Sequence, residues 1–285
     1  MTRRAPEAPR NASLRSTRSR ERPDVPPVLV VMGGRRGVGA STVAAGLAVG
    51  FATTQRTLLV DADEGSASLH EVLGVDGTRT SDDLLRGTTP DRVLTRVSPR
   101  LSLVVGRPSS LPALSAVQRR TLFHALTGLF ETFVVVVIDA GSRAAPVLAA
   151  CAAPTAHALV VTTGDRIAAA GAHAVEKLLH LEHPDVEVDI VGNMLDDGAA
   201  AAVRELLATA AEQFLGRTLD YVGTVPPDAA LVSLLAGRAP AAGAPPASDG
   251  LLALTAIGER ALATAGSSAV GRNSPLIDRS NHGTR

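Results

Sequence analysis

Short, uninterrupted apolar runs recur along the chain, and most stop at a glycine or a polar side chain. Val28-Leu29-Val30-Val31-Met32 runs into Gly33-Gly34, and Thr57-Leu58-Leu59-Val60 into Asp61-Ala62-Asp63. Leu101 to Val105 is a third run, and Phe133 to Ile138 a fourth that ends at Asp139. Ala158 to Val161 is a fifth, and Val186 to Val191 (interrupted by Glu187 and Asp189, just before Asn193) and Tyr221 to Val225 (before Pro226-Pro227-Asp228) read as further strands. Runs apolar on both faces are the signature of strands inside a parallel sheet covered on two sides.

Helical spacing fills the intervals. A buried helix is predicted over Val43–Val49, and short helical pieces over 69–97 around Leu69, Leu84-Leu85 and Val93-Leu94. Longer helices are predicted over Pro112–Phe130, with Leu114, Val117, Leu122, Leu126 and Leu129 on one face, and over Arg166–Leu181 and Gly198–Phe214. Asp228 is placed to cap a helix carrying Leu231–Leu235, residues 237–248 read as a linker, and a closing helix spans about 249–264. The reading is an α/β, doubly wound, mostly parallel sheet flanked by helices. It forms one domain over 27–264, between an arm (1–26) and a polar tail (265–285), with ligands at the carboxyl ends of the strands.

The first strand–helix junction carries the chemistry. Gly33-Gly34-Arg35-Arg36-Gly37-Val38-Gly39-Ala40-Ser41-Thr42 lies between an apolar run and a helix, the context of a phosphate-binding loop. Its glycines let backbone N–H groups converge on an anion, and the helix N-terminus adds partial positive charge. From Gly34 the spacing is G-x-x-x-x-G, with a hydroxyl at Ser41 to hold magnesium. The lysine expected before that hydroxyl is Ala40, which offers neither charge nor donor. Lys177 is the single lysine in the chain, so the nearest cations are Arg35 and Arg36. A glycine turn without a ligand is the plain alternative.

Three strand-end carboxylates supply the rest of such a site. Asp139 suits the water shell of magnesium, Asp61 sits at the neighbouring strand end, and Asp63 suits an attacking water. An aspartate after a strand also serves simply to cap the next helix. It is the combination with the glycine loop that favours the site.

Composition narrows the class further. The 28 basic and 28 acidic residues balance, so bulk charge does not point to nucleic acid or membrane. The single cysteine, Cys151, lies in an Ala-rich run and reads as a small core residue; no disulfide framework is possible. No apolar stretch reaches membrane-spanning length. Residues 1–24 hold seven arginines against Glu7, Glu21 and Asp24. They have no signal-like apolar segment and read as a solvated, disordered arm that offers a weak contact for DNA or another acidic surface.

These motifs, in this order, resemble the deviant Walker A family of MinD, ParA and related P-loop ATPases, of the SIMIBI kind. The matching residues are Arg35–Thr42, Asp61-Ala62-Asp63, Asp139-Ala140-Gly141, Asn193 and Pro226-Pro227-Asp228, and the likeness spans about 28–264. The alanine-serine ending at Ala40-Ser41 is similar to the TadZ/CpaE-like branch, without that branch's extra N-terminal domain. The resemblance implies that ATP and Mg2+ bind at Gly34–Thr42, with Ser41, Asp61 and Asp139 on the metal and Asp63 catalytic. It implies that Asn193, Pro226 and Asp228 meet the adenine, and that Arg35 stands where a signature lysine reaches a second subunit across the nucleotide.

The function expected is therefore an ATP-binding, homodimerising switch that positions a protein cargo, a cellular machine or a chromosome. Hydrolysis is expected to be weak or absent, because Ala40 removes a phosphate-contacting cation. A nucleotide-independent scaffold is the rival, and an active partition ATPase using Arg35 or Arg36 a third reading. The expected address is the cytoplasm, with peripheral recruitment to pole, septum or nucleoid. Only scattered apolar residues follow position 264, so a membrane-lying terminal helix is not expected.

Overall fold

The computed structural model describes residues 25–63, 68–106, 115–153, 155–216, 220–237 and 248–272. The arm (1–24), most of the 237–248 linker and the end of the tail lie outside them. The strands are β1 (Val28–Gly33), β2 (Thr57–Asp61), β3 (Leu94–Arg96), β4 (Leu101–Val104), β5 (Val135–Gly141), β6 (Ala156–Thr162), β7 (Glu187–Asn193) and β8 (Asp220–Val225). They form one eight-stranded sheet in the order β3-β4-β2-β5-β1-β6-β7-β8, parallel except where β3 pairs antiparallel with β4. The α/β, mostly parallel architecture read from the apolar runs is the architecture observed.

The helices are α1 (Ala40–Ala52), α2 (Leu69–Val72), α3 (Asp82–Leu85), α4 (Ala116–Phe130), α5 (Ala144–Cys151), α6 (Arg166–Glu182), α7 (Asp197–Leu215), α8 (Ala229–Leu235) and α9 (Asp249–Arg272). They cover both faces. Val28, Val30, Met32, Val136 and Ile138 join the core that includes α4 to α7, while Leu29, Val31, Val135 and Val137 join the one that includes α1, α8 and α9. Alternate side chains of one strand thus enter different cores, which is why those strands read as continuously apolar.

Several boundaries differ from expectation. Val93-Leu94 straddles a boundary: a short 3-10 helix (Pro90–Val93) ends at Val93, and Leu94 opens the edge strand β3. Three residues are too few to show a period of two. The Ala/Pro run after β5 forms α5, and its proline falls in the first turn, where backbone N–H groups have no intrahelical partner to lose. Helix α4 starts at Ala116 behind a Ser115–Gln118 capping box, and Val117 is 75% exposed rather than on the covered face. Leu114 lies outside the described residues. Helix α9 runs on to Arg272, beyond the predicted 264. At the other end, Pro26 and Pro27 are already tied to the sheet: their carbonyls accept from Thr155 Oγ1 (2.7 Å) and Val136 N (3.1 Å).

Candidate phosphate-binding cleft

The central strand β1 delivers the loop to the middle of the sheet. Gly37 and Gly39 have φ of +86° and +85°, left-handed values that favour glycine. Gly39 is the N-cap of α1. No side chain caps that helix and no acidic residue lies in its first turn, so its N-terminal N–H groups are left without a cap from the helix itself. Gly34 serves a different need. It packs on α6 so closely that a Cβ would lie 2.2 Å from Ala172 N.

The loop opens on a cleft of about 300 Å3 lined by Gly33, Arg35 to Thr42, Asp63, Val72, Gly141 and Ser142. The structure therefore brings together the loop residues Arg35, Arg36, Gly37, Val38, Gly39, Ala40, Ser41 and Thr42 with Asp63. Asp63 sits against Gly141 at the end of β5.

Beneath the cleft, Asp139 and Asp61 are register partners on β5 and β2, and both are buried. Asp139 Oδ1 accepts from Gly141 N (3.2 Å), and Oδ2 is buried without a hydrogen-bond partner among the described residues. Burial pushes the Asp139 pKa up to about 6; the nearby Ser41 hydroxyl and Gly141 N–H offset part of that, and the charge of Asp63 adds to it. Asp61 turns towards α2, where its Oδ2 accepts from Leu69 N (3.0 Å) and Ser68 Oγ (3.2 Å), leaving Oδ1 unpartnered. Burial, then the charge of Asp139, raises its pKa to about 7.

The remaining predicted residues lie elsewhere. Asn193, at the end of β7, donates from Nδ2 to Val38 O (2.8 Å), behind the loop. Asp228 caps α8 through Ala230 N and Leu231 N and also accepts from Ser248 Oγ and Gly250 N. Neither it nor Pro226 lines the cleft.

The two loop arginines are used differently. Arg35 Nη1 is 3.2 Å from Asp165 Oδ1, the N-cap of α6, and its Nε donates to Arg36 O. Arg36 is exposed, lines the cleft and has no ion-pair partner among the described residues. Sequence reading missed Asp165, although an aspartate just before a helix is a recognisable cap.

This donor set fits an anion and its cation. An uncapped helix N-terminus behind a glycine loop suits a phosphate group. The unpartnered Asp139 Oδ2 near the Ser41 hydroxyl suits a magnesium ion that takes its other ligands from phosphate and water. Among the described residues no group of three or more His, Cys, Asp or Glu is arranged to hold a metal unaided.

The sheet order and the glycine loop at the end of β1 are those of a P-loop fold. No protein-family model matches the chain. The antiactivator FleN of Pseudomonas aeruginosa is 27% identical over 208 residues, which cover 70% of this chain and 74% of FleN. The septum site-determining protein MinD of Pyrococcus horikoshii OT3, complexed with Mg-ADP, is similar in structure with a TM-score of 0.66 and 18% identity, over 85% of this chain and 98% of that one. A plasmid partition protein of Borrelia burgdorferi B31 bound to AMPPNP gives a TM-score of 0.63 and 16% identity, over 84% and 99%. The chain has the MinD/ParA P-loop ATPase fold. No described helix is long and apolar enough to cross a membrane.

Proposed function

We propose that the chain binds Mg·ATP in this cleft and works as a homodimerising switch that positions a protein cargo, a cellular machine or a chromosome, with weak or absent hydrolysis. The observation that carries the reading is the uncapped N-terminus of α1, presented by left-handed Gly37 and Gly39 to a cleft that holds Asp63. The names of two of the similar proteins, a septum site-determining protein and a plasmid partition protein, support a positioning role.

In this reading the backbone N–H groups of Gly37–Thr42 hold the phosphates. Ser41 and Asp139 hold Mg2+, which when bound offsets phosphate charge. Asp63 orients water. Ala40 leaves out one cation, and losing one partner of a charged hydrogen bond costs about 1.5–3 kcal/mol, roughly ten- to a hundredfold in affinity. Millimolar nucleotide tolerates that loss; turnover suffers more, because the missing charge also stabilises the transition state. Arg35 has to leave Asp165 before it can reach across to a second subunit. That pair is solvent-exposed and its barrier correspondingly small.

Melting the protein with and without millimolar Mg·ATP is the test. Ligand at a hundredfold its Kd adds about 2.7 kcal/mol, a rise of roughly 5–10 °C for a domain of this size. No shift leaves the nucleotide-independent scaffold, which Ala40 already favours. Ala40→Lys is expected to bind ATP about tenfold or more tightly than wild type; equal affinity would mean that Arg36 or Arg35 already supplies the charge. Any phosphate release that survives Asp63→Ala undiminished does not arise in this cleft.

A further inference from the structure

We propose a second anion site, for a phosphate group, at the end of the sheet opposite the glycine loop. Its walls are Arg56, Arg96 and Arg100 with Ser98, Ser102 and Phe133, around a pocket of about 260 Å3 that no carboxylate lines among the described residues. Sheet register brings the arginines together. Arg96 pairs with Ser102 across β3 and β4, and Arg56 precedes Thr57, whose N–H donates to Arg100 O (2.8 Å). The connecting turn is held by Leu101 N donating to Ser98 Oγ (3.2 Å) and Val97 N to Leu101 O (3.0 Å).

Two of the guanidiniums are held in place without being neutralised. That of Arg56 lies 5.6 Å over the Phe133 ring, and Arg100 Nη1 donates to Thr53 O (3.0 Å). Arg96 has no ion-pair partner among the described residues. Elsewhere arginines do find carboxylates, as Arg35 does in Asp165 and Arg86 in Asp83. Three like charges around one pocket repel unless an anion joins them. A carboxylate occupies one guanidinium fork, whereas a phosphate has oxygens for all three. The volume falls just below the roughly 300–1,000 Å3 of drug-sized sites, which suits inorganic phosphate or a small phosphomonoester. Strand β2 separates this pocket from Asp61 by about five residues at ~3.3 Å each, so it is no part of the nucleotide cleft. The inference stands independently of the nucleotide reading.

The test is calorimetric titration of the full-length protein with inorganic phosphate and, separately, glycerol 3-phosphate, in chloride at matched ionic strength. Wild type, Arg96→Ala and Arg96→Lys are compared. Arg96→Ala breaks no bond within the described residues, and a melt confirms its fold. The expected result is a ten- to hundredfold loss of phosphate affinity in Arg96→Ala. Arg96→Lys, which keeps the charge and loses the fork, falls in between, and the response to Mg·ATP is unchanged. Tighter binding of the ester assigns an organic phosphate and tighter binding of the ion a free one; either supports the site. Equal affinity of wild type and Arg96→Ala, which would place the anion at the glycine loop, or binding of neither probe to wild type, overturns it.

Discussion

Two stretches of the sheet's carboxyl edge carry the same kinds of residue and treat them in opposite ways. At the ends of β2 and β5, Asp61 and Asp139 are buried side by side, each with one oxygen unpartnered and a raised pKa. At the ends of β7 and β8, Asn193 and Asp228 are satisfied by their own chain. For Asp228, partial burial raises the pKa, but donors from Gly250, Ser248, Leu231 and Ala230 outweigh it and hold the carboxyl below its usual range. A buried carboxylate with an unused lone pair is poised for a ligand, whereas one already given several donors works as framework. The first region costs the protein stability, and the second adds to it.

The sharpest way to break this comparison is to neutralise the first region. The folded pKa of Asp61 (about 7) and of Asp139 (about 6) lie above the unfolded value near 3.8. The native state therefore holds more protons than the unfolded one between those values, so the contribution of these groups is fully present below about pH 4 and is lost as pH rises to 7. For Asp61 alone, about three pH units at 1.36 kcal/mol each is on the order of 4 kcal/mol. Asp61→Asn, melted without nucleotide or metal, is expected to gain on wild type progressively from pH 4 to 7 and to stay ahead at pH 8. A difference between the two melting curves that does not change with pH would mean that Asp61 is not held in a strained charged state.

Removing the second region's anchor has the opposite sign. Asp228→Ala takes the N-cap from α8 and the tie to α9, where Ser248 Oγ and Gly250 N donate at 2.7 and 2.9 Å. A cap is worth about 0.5–2 kcal/mol and the second tie about 1 kcal/mol, so Tm falls by roughly 4–10 °C. Nucleotide affinity, measured well below that Tm, is expected to hold. If affinity collapses while Tm stays, Asp228 belongs to the site and not to the frame.

Much of this was legible in the residues. The doubly wound sheet followed from runs such as Val28–Met32, whose alternate side chains both meet core, and the loop followed from glycine spacing after a strand. Satisfaction was legible where the partner is local, as in the Asp228 cap of α8, and not where it depends on partners distant in sequence. Arg35 meets Asp165 across 130 positions, and Asn193 meets Val38 across 155. Buried His157 lies 2.8 Å from Asp189 and 3.6 Å from Glu187, a cluster that only the pairing of β6 with β7 creates. The three residues of β3 carried too little pattern to be seen, so the arginines on its hairpin went unremarked until the register placed them together.

Asn193 provides the smallest test and the most discriminating one. The resemblance to MinD and ParA proteins would make it a reader of adenine, while the structure shows its amide bonded to Val38 O, so close to Gly39 that a Cβ there would lie 2.3 Å from Nδ2. Asn193→Ala removes one buried hydrogen bond, worth about 1 kcal/mol, and lowers Tm by roughly 2–4 °C. The two roles separate in the nucleotide profile. A loop brace acts on the phosphates, so its loss weakens ATP and GTP by the same factor, about two- to fivefold for a fraction of that 1 kcal/mol. A base reader acts on the ring, so its loss weakens ATP and leaves GTP nearly where it was. Titrating both nucleotides into wild type and variant decides between them: parallel losses keep Asn193 with Asp228 in the framework, and a loss confined to ATP moves it into the cleft.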